Sequence, residues 1–236
     1  MSARVAVVTG GASGMGLAVA AELSARGHRV ASLDLDETPG DGLGLRVDVT
    51  DRGAVDRALA TVRAELGPVG IVVTSAGLAP FTDFTAITPE VWQKVLAVNL
   101  TGTFNVIQAA IPDMVAASWG RVVTISSAAG QNGSPRQAHY AASKGGVIAL
   151  TKALSWDYAR LGITANSIAP GPVDTPMARR ARDDGNMPDN ETLGSFVPVG
   201  RVGTVEEIAA ACAYLCSEAA GYVTGQVLGV NGGLVL

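Results

Sequence analysis

A short apolar run, Val5-Ala6-Val7-Val8, passes directly into Thr9-Gly10-Gly11-Ala12-Ser13-Gly14-Met15-Gly16, and a helical pattern from Leu17 to Arg26 follows. No other feature restricts the fold as much. A strand that ends in glycines and turns at once into a helix uses backbone conformations that glycine adopts cheaply, and it leaves unpaired helix N–H groups at the turn. Such a turn lets a phosphate approach the main chain. Gly10, Ser13, Gly14, Met15 and Gly16 are therefore candidates for holding the pyrophosphate of a dinucleotide. The spacing is G-x-x-x-G-x-G rather than the commoner G-x-G-x-x-G, and its place between a strand and a helix gives it meaning.

The same rhythm continues along the 236 residues. Apolar runs at Arg29–Leu33, around Val47, and at Ile71–Thr74, Arg121–Ile125, Thr164–Ile168 and Val227–Val230 read as strands. Helical patterns occupy Asp51–Leu66, Pro89–Asn99 and on to about Ala117, Ala138–Leu161 and Val205–Ser217. Strands apolar on both faces with helices between them predict one α/β domain over residues 1–236. Its sheet is parallel, doubly wound and Rossmann-like, with helices on both faces and ligands at the carboxyl ends of the strands. Residues 172–203, with Pro172, Pro176, Pro188 and Pro198, break the rhythm and read as a long irregular substrate lid.

Composition narrows the function classes. Hydrophobic residues make up 48% of the chain and charged residues 16%, too little charge for a disordered chain. A net charge of −4 with no basic stripe predicts no nucleic-acid partner. Cys212 and Cys216, four apart in an Ala-rich helix with no matching histidine pair, read as buried apolar side chains, so no metal is expected. The N-terminal apolar run is too short for a signal peptide, and Ile208–Cys216 is too short to span a bilayer. The expectation is a soluble cytoplasmic protein without a membrane partner.

Asp34 stands eighteen residues after Gly16, at the end of the second strand. A carboxylate there accepts hydrogen bonds from ribose hydroxyls and repels a 2′-phosphate, and the glycine loop holds no Arg or Lys. Both features point to NAD as the cofactor. Asp36 is a rival for the ribose role, further into the loop. Tyr140 and Lys144, four apart, share a helix face, and an ammonium beside a phenol is expected to lower the Tyr pKa from about 10 toward neutral. Such a phenol exchanges a proton with a carbonyl or an alcohol oxygen. Ser126-Ser127 ends a strand thirteen residues before Tyr140 and offers a hydroxyl to a substrate oxygen. Asn99 interrupts a helical pattern, where its amide fixes either a water or a backbone kink.

These residues, together with Asp48-Val49, Ala76-Gly77, Tyr140-Ala141-Ala142-Ser143-Lys144 and Pro170-Gly171-Pro172-Val173-Asp174-Thr175, lie in the order and spacing of the short-chain dehydrogenase/reductase family. The chain resembles that family over nearly its whole length, nearest the branch of 3-oxoacyl-thioester reductases and secondary-alcohol dehydrogenases. The resemblance implies a role for each matching position. Tyr140 is the general acid/base, Lys144 also binds the nicotinamide ribose, and Ser127 orients the substrate carbonyl. Asn99 holds a water that links Lys144 to solvent. Asp48 and Val49 contact the adenine, Val173 and Thr175 hold the carboxamide, and Ala76, Gly77, Pro170 and Gly171 complete the cofactor set. A homotetramer is also implied, with Trp156, Tyr158 and the tail Gly232–Leu236 near subunit contacts. Two departures stand out. The family's N-N-A-G reads Thr74-Ser75-Ala76-Gly77 here, and Ser75 is expected to alter the local hydrogen bonding at a modest stability cost. The helix usual within Asp36–Arg46 is missing or reduced.

The expected reaction is hydride transfer between a nicotinamide and a ketone/secondary-alcohol pair. The substrate leans toward a hydrophobic ketone or 3-oxoacyl thioester, with a polyol or sugar as the alternative and a non-catalytic NAD-binding regulator as the rival from another class. The lid carries apolar residues (Met177, Met187, Leu193, Phe196 and Val197) and the cations Arg179, Arg180 and Arg182. Those cations either meet an anionic substrate group or form a solvated face. His139 is expected to point away from the chemistry, and His28 to lie in a turn without a partner.

Overall fold

The computed structural model describes residues 3–40 and 42–235. Met1 and Ser2 of the N-terminal lead-in, Asp41 of the glycine-rich segment and Leu236 of the apolar tail lie outside the described residues. Seven strands form one sheet: β1 (Val5–Thr9), β2 (Arg29–Asp34), β3 (Leu43–Arg46), β4 (Val69–Thr74), β5 (Gly120–Ile125), β6 (Ile163–Pro170) and β7 (Val227–Val230). Every pairing is parallel, and the order is β3-β2-β1-β4-β5-β6-β7. The order reverses between β1 and β4, so a crevice opens where their outgoing loops part.

Strand alternation explains the two layers. Val5 and Val7 face one side and pack with Val55 and Leu59 of α2 (Arg52–Glu65) and with Val106, Ile107 and Met114 of α4 (Gly102–Ala117). Ala6 and Val8 face the other side and pack with Val19 and Leu23 of α1 (Gly14–Ala25) and with Ile208 and Cys212 of α9 (Val205–Leu215). After the single turn α5 (Ala129–Asn132), the long α6 (Ala138–Tyr158) joins the first layer through Leu154 and Tyr158. Cys212 and Cys216 are buried free thiols in the second layer. Local signals set the helix ends. The Asp51 carboxylate accepts from the Ala54 N–H at 3.0 Å to cap α2, and Thr204 and Glu207 form a reciprocal cap on α9.

Residues 89–117 run as one apolar helical segment in three parts: α3 (Pro89–Leu96), a five-residue π turn (Ala97–Thr101) and α4. One face of it, with Val106, Ile107, Ala110 and Met114, is buried against the sheet as in a core helix. The π turn is where Asn99 breaks the sequence periodicity.

The structure departs from the sequence reading in three places. The segment 172–203 is not irregular: it holds α7 (Pro176–Asp183) and α8 (Asn190–Ser195), capped by Thr175 and Asp189. Its two ends are sewn together, Gly203 N–H donating to Pro172 C=O at 2.8 Å and Asp174 N–H to Gly203 C=O at 3.1 Å. His28 is not without a partner, since its Nδ1 accepts from the Arg4 N–H at 3.2 Å. The altered N-N-A-G segment leaves its orphan at Thr74 rather than Ser75: the Thr74 hydroxyl is buried with no partner, while Ser75 N–H and Ala76 N–H both donate to Thr9 Oγ1. No helix lies between β2 and β3 among the described residues, in line with the reduced segment expected there.

At the amino-terminal edge of the sheet, Arg121 is 3% exposed. It donates from Nε to Ser217 C=O at 3.1 Å and from Nη1 to Gly120 C=O at 2.8 Å, and its guanidinium lies 4.5 Å from the Trp119 ring centroid. This one side chain ties β5 to the chain after α9. Arg121→Ala leaves buried carbonyls unpaired and a void, so it is expected to cost about 2–4 kcal/mol. Thermal melting should show this as a Tm lowered by roughly 5–15 °C; an unchanged Tm would contradict it.

Candidate active site

The carboxyl ends of β1 to β4 and the base of the lid enclose a cavity of about 560 Å³. The loop after β1 contributes Gly10, Ser13, Gly14 and Met15, and β2 contributes Asp34. Asp48 and Val49 close one side, Ala76 and Gly77 form the wall after β4, and Thr175 reaches in from the lid. Gly10 has a φ of +70° and so little room that a Cβ would stand 2.8 Å from the Ala76 nitrogen. Gly16 does not line the cavity: it is buried against the Gly10 carbonyl, where only glycine lets α1 approach the loop. Pro170, Gly171 and Val173, expected in the cofactor set, do not line the cavity either. Ala128 N–H donates to Pro170 C=O at 2.9 Å, and Gly171 packs against Asn231.

The chain's own residues fit a dinucleotide. The first turn of α1 carries no acidic side chain, and Ser13 makes no side-chain cap, so its N–H groups are free to meet an anion. The Asp34 carboxylate accepts from Ala12 N–H at 2.9 Å and from Asp36 N–H at 3.3 Å, which fixes it against the glycine loop with lone pairs to spare. Asp48 accepts from the N–H and the hydroxyl of Thr50 at 2.8 and 2.7 Å. Asn105, which the sequence reading passed over, holds the neighbouring turn by donating to Val49 C=O at 2.9 Å.

Behind the Gly77 wall the polar side chains converge. A Cβ at Gly77 would lie 3.3 Å from Asn99 Oδ1 and 3.6 Å from Lys144 Nζ. The Asn99 amide is spent on the protein: Oδ1 accepts from Leu78 N–H at 2.8 Å, and Nδ2 donates to Leu78 C=O and to Ser143 Oγ, each at 2.9 Å. It fixes the loop after β4 to α6. Ser143 lies within the Tyr140–Lys144 motif, but its spacing alone did not mark it as the brace for Asn99. Ser127 Oγ accepts from Ala129 N–H at 3.1 Å and stands near enough to the Tyr140 phenol to lower its pKa. Ser126 points into the core, donating to Ile168 C=O at 2.8 Å.

The electrostatics differ from the simple expectation. Lys144 Nζ lies 5.8 Å from the Tyr140 ring centroid and donates to Ile125 C=O at 2.7 Å. Burial pulls its pKa from 10.5 to about 8. Burial raises the Tyr140 phenol above its ordinary value of 10, and the Ser127 hydrogen bond offsets only part of that rise. Burial thus holds the phenol above its ordinary range, and the lysine, itself titrating near 8, is already neutral where such a phenol ionises. The arrangement is a protonated phenol beside a hydroxyl, with a desolvated lysine behind, and it suits proton donation to a carbonyl oxygen. His139 is fully buried with both ring nitrogens unpartnered, and burial lowers its pKa. Among the described residues no cluster of three or more metal-ligating side chains occurs.

Comparison with known proteins agrees with this geometry. A family model described as enoyl-(acyl carrier protein) reductase matches residues 10–235. The 3-oxoacyl-[acyl-carrier-protein] reductase MabA of Mycobacterium tuberculosis is 41% identical over 232 residues, covering 98% of this chain and 92% of that one. The 3-oxoacyl-[acyl-carrier-protein] reductase FabG of Escherichia coli is 37% identical over 242 residues, covering 99% and 98%. Among solved structures, the aldohexose dehydrogenase of Thermoplasma acidophilum superposes with a TM-score of 0.92 at 29% identity, covering 98% of this chain and 94% of that one. With the fold, the glycine-loop crevice and the Ser, Tyr and Lys behind it all in one chain, and relatives of this identity over nearly its full length, the protein belongs to the short-chain dehydrogenase/reductase family of oxidoreductases.

Proposed function

We propose that the protein is an NAD(H)-dependent enzyme that interconverts a ketone and a secondary alcohol, with a 3-oxoacyl thioester or a similarly hydrophobic ketone as substrate. The observation that carries this reading is the Ser127–Tyr140–Lys144 cluster set directly behind the Gly77 wall of the cavity. A bound nicotinamide supplies or accepts the hydride. The chain's residues do the rest. Ser127 orients the substrate oxygen toward Tyr140, and Tyr140, held protonated by burial, donates to that oxygen as the carbonyl is reduced. Lys144 sits within reach of the wall to bind a ribose, and Asn99 keeps that wall in place. Gly10, Ser13, Gly14, Met15 and Gly16 hold the pyrophosphate, Asp48 and Val49 border the adenine, and Ala76, Gly77, Pro170, Gly171, Val173 and Thr175 frame the nicotinamide half.

NAD is favoured over NADP because three carboxylates, Asp34, Asp36 and Asp48, line one end of the cavity. The thioester preference is supported by relatives named as 3-oxoacyl-[acyl-carrier-protein] reductases. Sugar oxidation is the second reading, favoured by the aldohexose dehydrogenase among the structural neighbours. A regulator without catalysis would not need a lysine buried at desolvation cost beside a half-buried phenol. Self-association, as a tetramer, is supported by exposed apolar side chains on several elements, Trp156 at 88% and Tyr222 at 104% among them.

Three measurements test these statements. A spectrophotometric screen of 3-oxoacyl thioesters, ketones and aldohexoses with both coenzymes should show NADH oxidised faster than NADPH, and Tyr140→Phe should lower turnover roughly 10²–10⁴-fold. A clear NADPH preference overturns the Asp34 argument, and near-normal turnover of the variant overturns the role of Tyr140. Light scattering of the purified protein should give four times the 23.9 kDa chain mass, and a monomer would refute the assembly. Lys144→Met should abolish turnover yet raise the melting temperature at pH 7, since the fold depresses the lysine pKa and so opposes the charged form. The gain should be about 1–3 kcal/mol at or below pH about 8, shrinking as pH rises toward 10.5, where the unfolded lysine also loses its charge. A lower Tm for the variant at pH 7 would contradict this.

A further inference from the structure

The lid arginines do not act as one patch, because the helix sorts them. Arg179 and Arg182 lie three apart on α7 and both bind Asp174, at 3.0 and 2.9 Å. Arg182 also donates to Asn190 Oδ1 at 2.8 Å, which ties α7 to α8. Arg180, one residue on from Arg179, is turned about 100° around the helix. It shares a face with Pro176 and Met177, and these three line the large cavity together with Thr175. Among the described residues the Arg180 side chain takes part in no ion pair and no hydrogen bond, its only bonds being those of the helix backbone.

What stands across from Arg180 gives it a target. The first turn of α1 lines the same cavity through Ser13, Gly14 and Met15, and its free N–H groups favour an anion. The two walls nearly touch at one end: a Cβ on Gly14 would lie 3.6 Å from Pro176 Cδ and 3.7 Å from Thr175 Cβ. The acidic side chains of the cavity come from elsewhere, Asp34 and Asp36 from the end of β2 and Asp48 from the segment after β3. The charges are thus segregated, carboxylates on the segments after β2 and β3, and an unpaired guanidinium on the helix that meets the glycine loop.

We propose that Arg180 is an anion clamp, closing α7 over the cofactor's pyrophosphate so that the diphosphate lies between the first turn of α1 and the Arg180 guanidinium. The clamp rests on the reading of this cavity as a dinucleotide site. Its consequence is that cofactor binding orders the lid. Arg180 carries α7, the Asp174 carboxylate fastens α7 to the sewn stem at 172–174 and 203, and Arg182 carries the effect on to α8. The lid therefore answers to the phosphate groups of the cofactor rather than to its adenosine.

The test measures binding rather than turnover, on the full-length protein with adenosine, ADP-ribose and NADH as probes. Wild type, Arg180→Gln and Arg179→Gln are compared by calorimetry, with Tm checked first; Arg180 is exposed, so its loss should leave Tm unchanged. Arg180→Gln should weaken ADP-ribose and NADH about three- to tenfold, leave adenosine unchanged, and lose that difference in high salt. Arg179→Gln should bind all three as wild type does. Hydrogen exchange over residues 176–195 should slow with ADP-ribose but not with adenosine, and Arg180→Gln should abolish that slowing. Unchanged ADP-ribose affinity in Arg180→Gln overturns the clamp while leaving the cofactor site standing. So does a loss confined to the KM of a phosphate-bearing thioester, which would place Arg180 on the substrate. Failure of wild type to bind NADH or ADP-ribose overturns the dinucleotide reading itself.

Discussion

Parallel strands release their chain at one edge of the sheet, and everything chemical in this protein follows from that constraint. Each of β1, β2, β4, β5 and β6 hands its next residues to the same rim. The glycine loop, Asp34, the Ala76–Gly77 wall, Ser127 and the base of the lid therefore become neighbours although they are far apart in sequence. The register is held by main-chain pairing and by two buried valine and isoleucine layers, so the rim is rigid. Helices supply what strands cannot. A π turn puts the Asn99 amide at the back of the rim, and α6 brings Tyr140 and Lys144 up to it.

Several polar side chains at or near the rim are poorly satisfied. Lys144 is buried with one carbonyl as its partner, the Thr74 hydroxyl has none, and both ring nitrogens of His139 are unpaired. A buried charge or an orphan hydroxyl each costs free energy that an apolar residue would not. Thr74 ends the strand that leads to the cavity wall, and Lys144 lies beside the Tyr140 ring. By contrast Arg121, buried at the opposite edge, has its donors spent on carbonyls and its face on Trp119. Satisfaction does not divide the two edges, however, because Arg4 Nε and Thr164 Oγ1, at the edge Arg121 occupies, are also buried without partners.

Much of this was legible in the sequence because it depends on short-range rules. Apolar runs between helical patterns specify a parallel sheet, and a glycine loop between strand and helix specifies a phosphate crevice. What was not legible depends on where a long side chain ends. An i, i+4 spacing puts Tyr140 and Lys144 on one face, but it does not say that a four-carbon stem carries the ammonium to Ile125 C=O. Asn99 was marked by a broken periodicity, yet its partners Leu78 and Ser143 come from segments that only folding brings near. The lid helices were missed although the signals were present. Thr175-Pro176 and Asp189 are ordinary helix starts; four prolines spread over thirty-two residues outweighed them.

The lid shows how little sequence distance a helix needs to separate roles. Arg179 and Arg182 serve the lid's own cohesion, since Asp174 binds both and lies in the stem through which the segment leaves and returns. A third cation aimed the same way would find that carboxylate already engaged. Displaced by one position, it is carried round to the cavity instead, beside the two residues that meet the glycine loop. Composition counts three arginines; geometry makes two of them structural and leaves one with its charge uncompensated. An uncompensated charge lining a cavity, opposite a helix terminus of like sign, is stable only because both are open to water. That shared field favours any anion that enters between them, and the carboxylates on the segments after β2 and β3 bias such an anion toward the glycine loop.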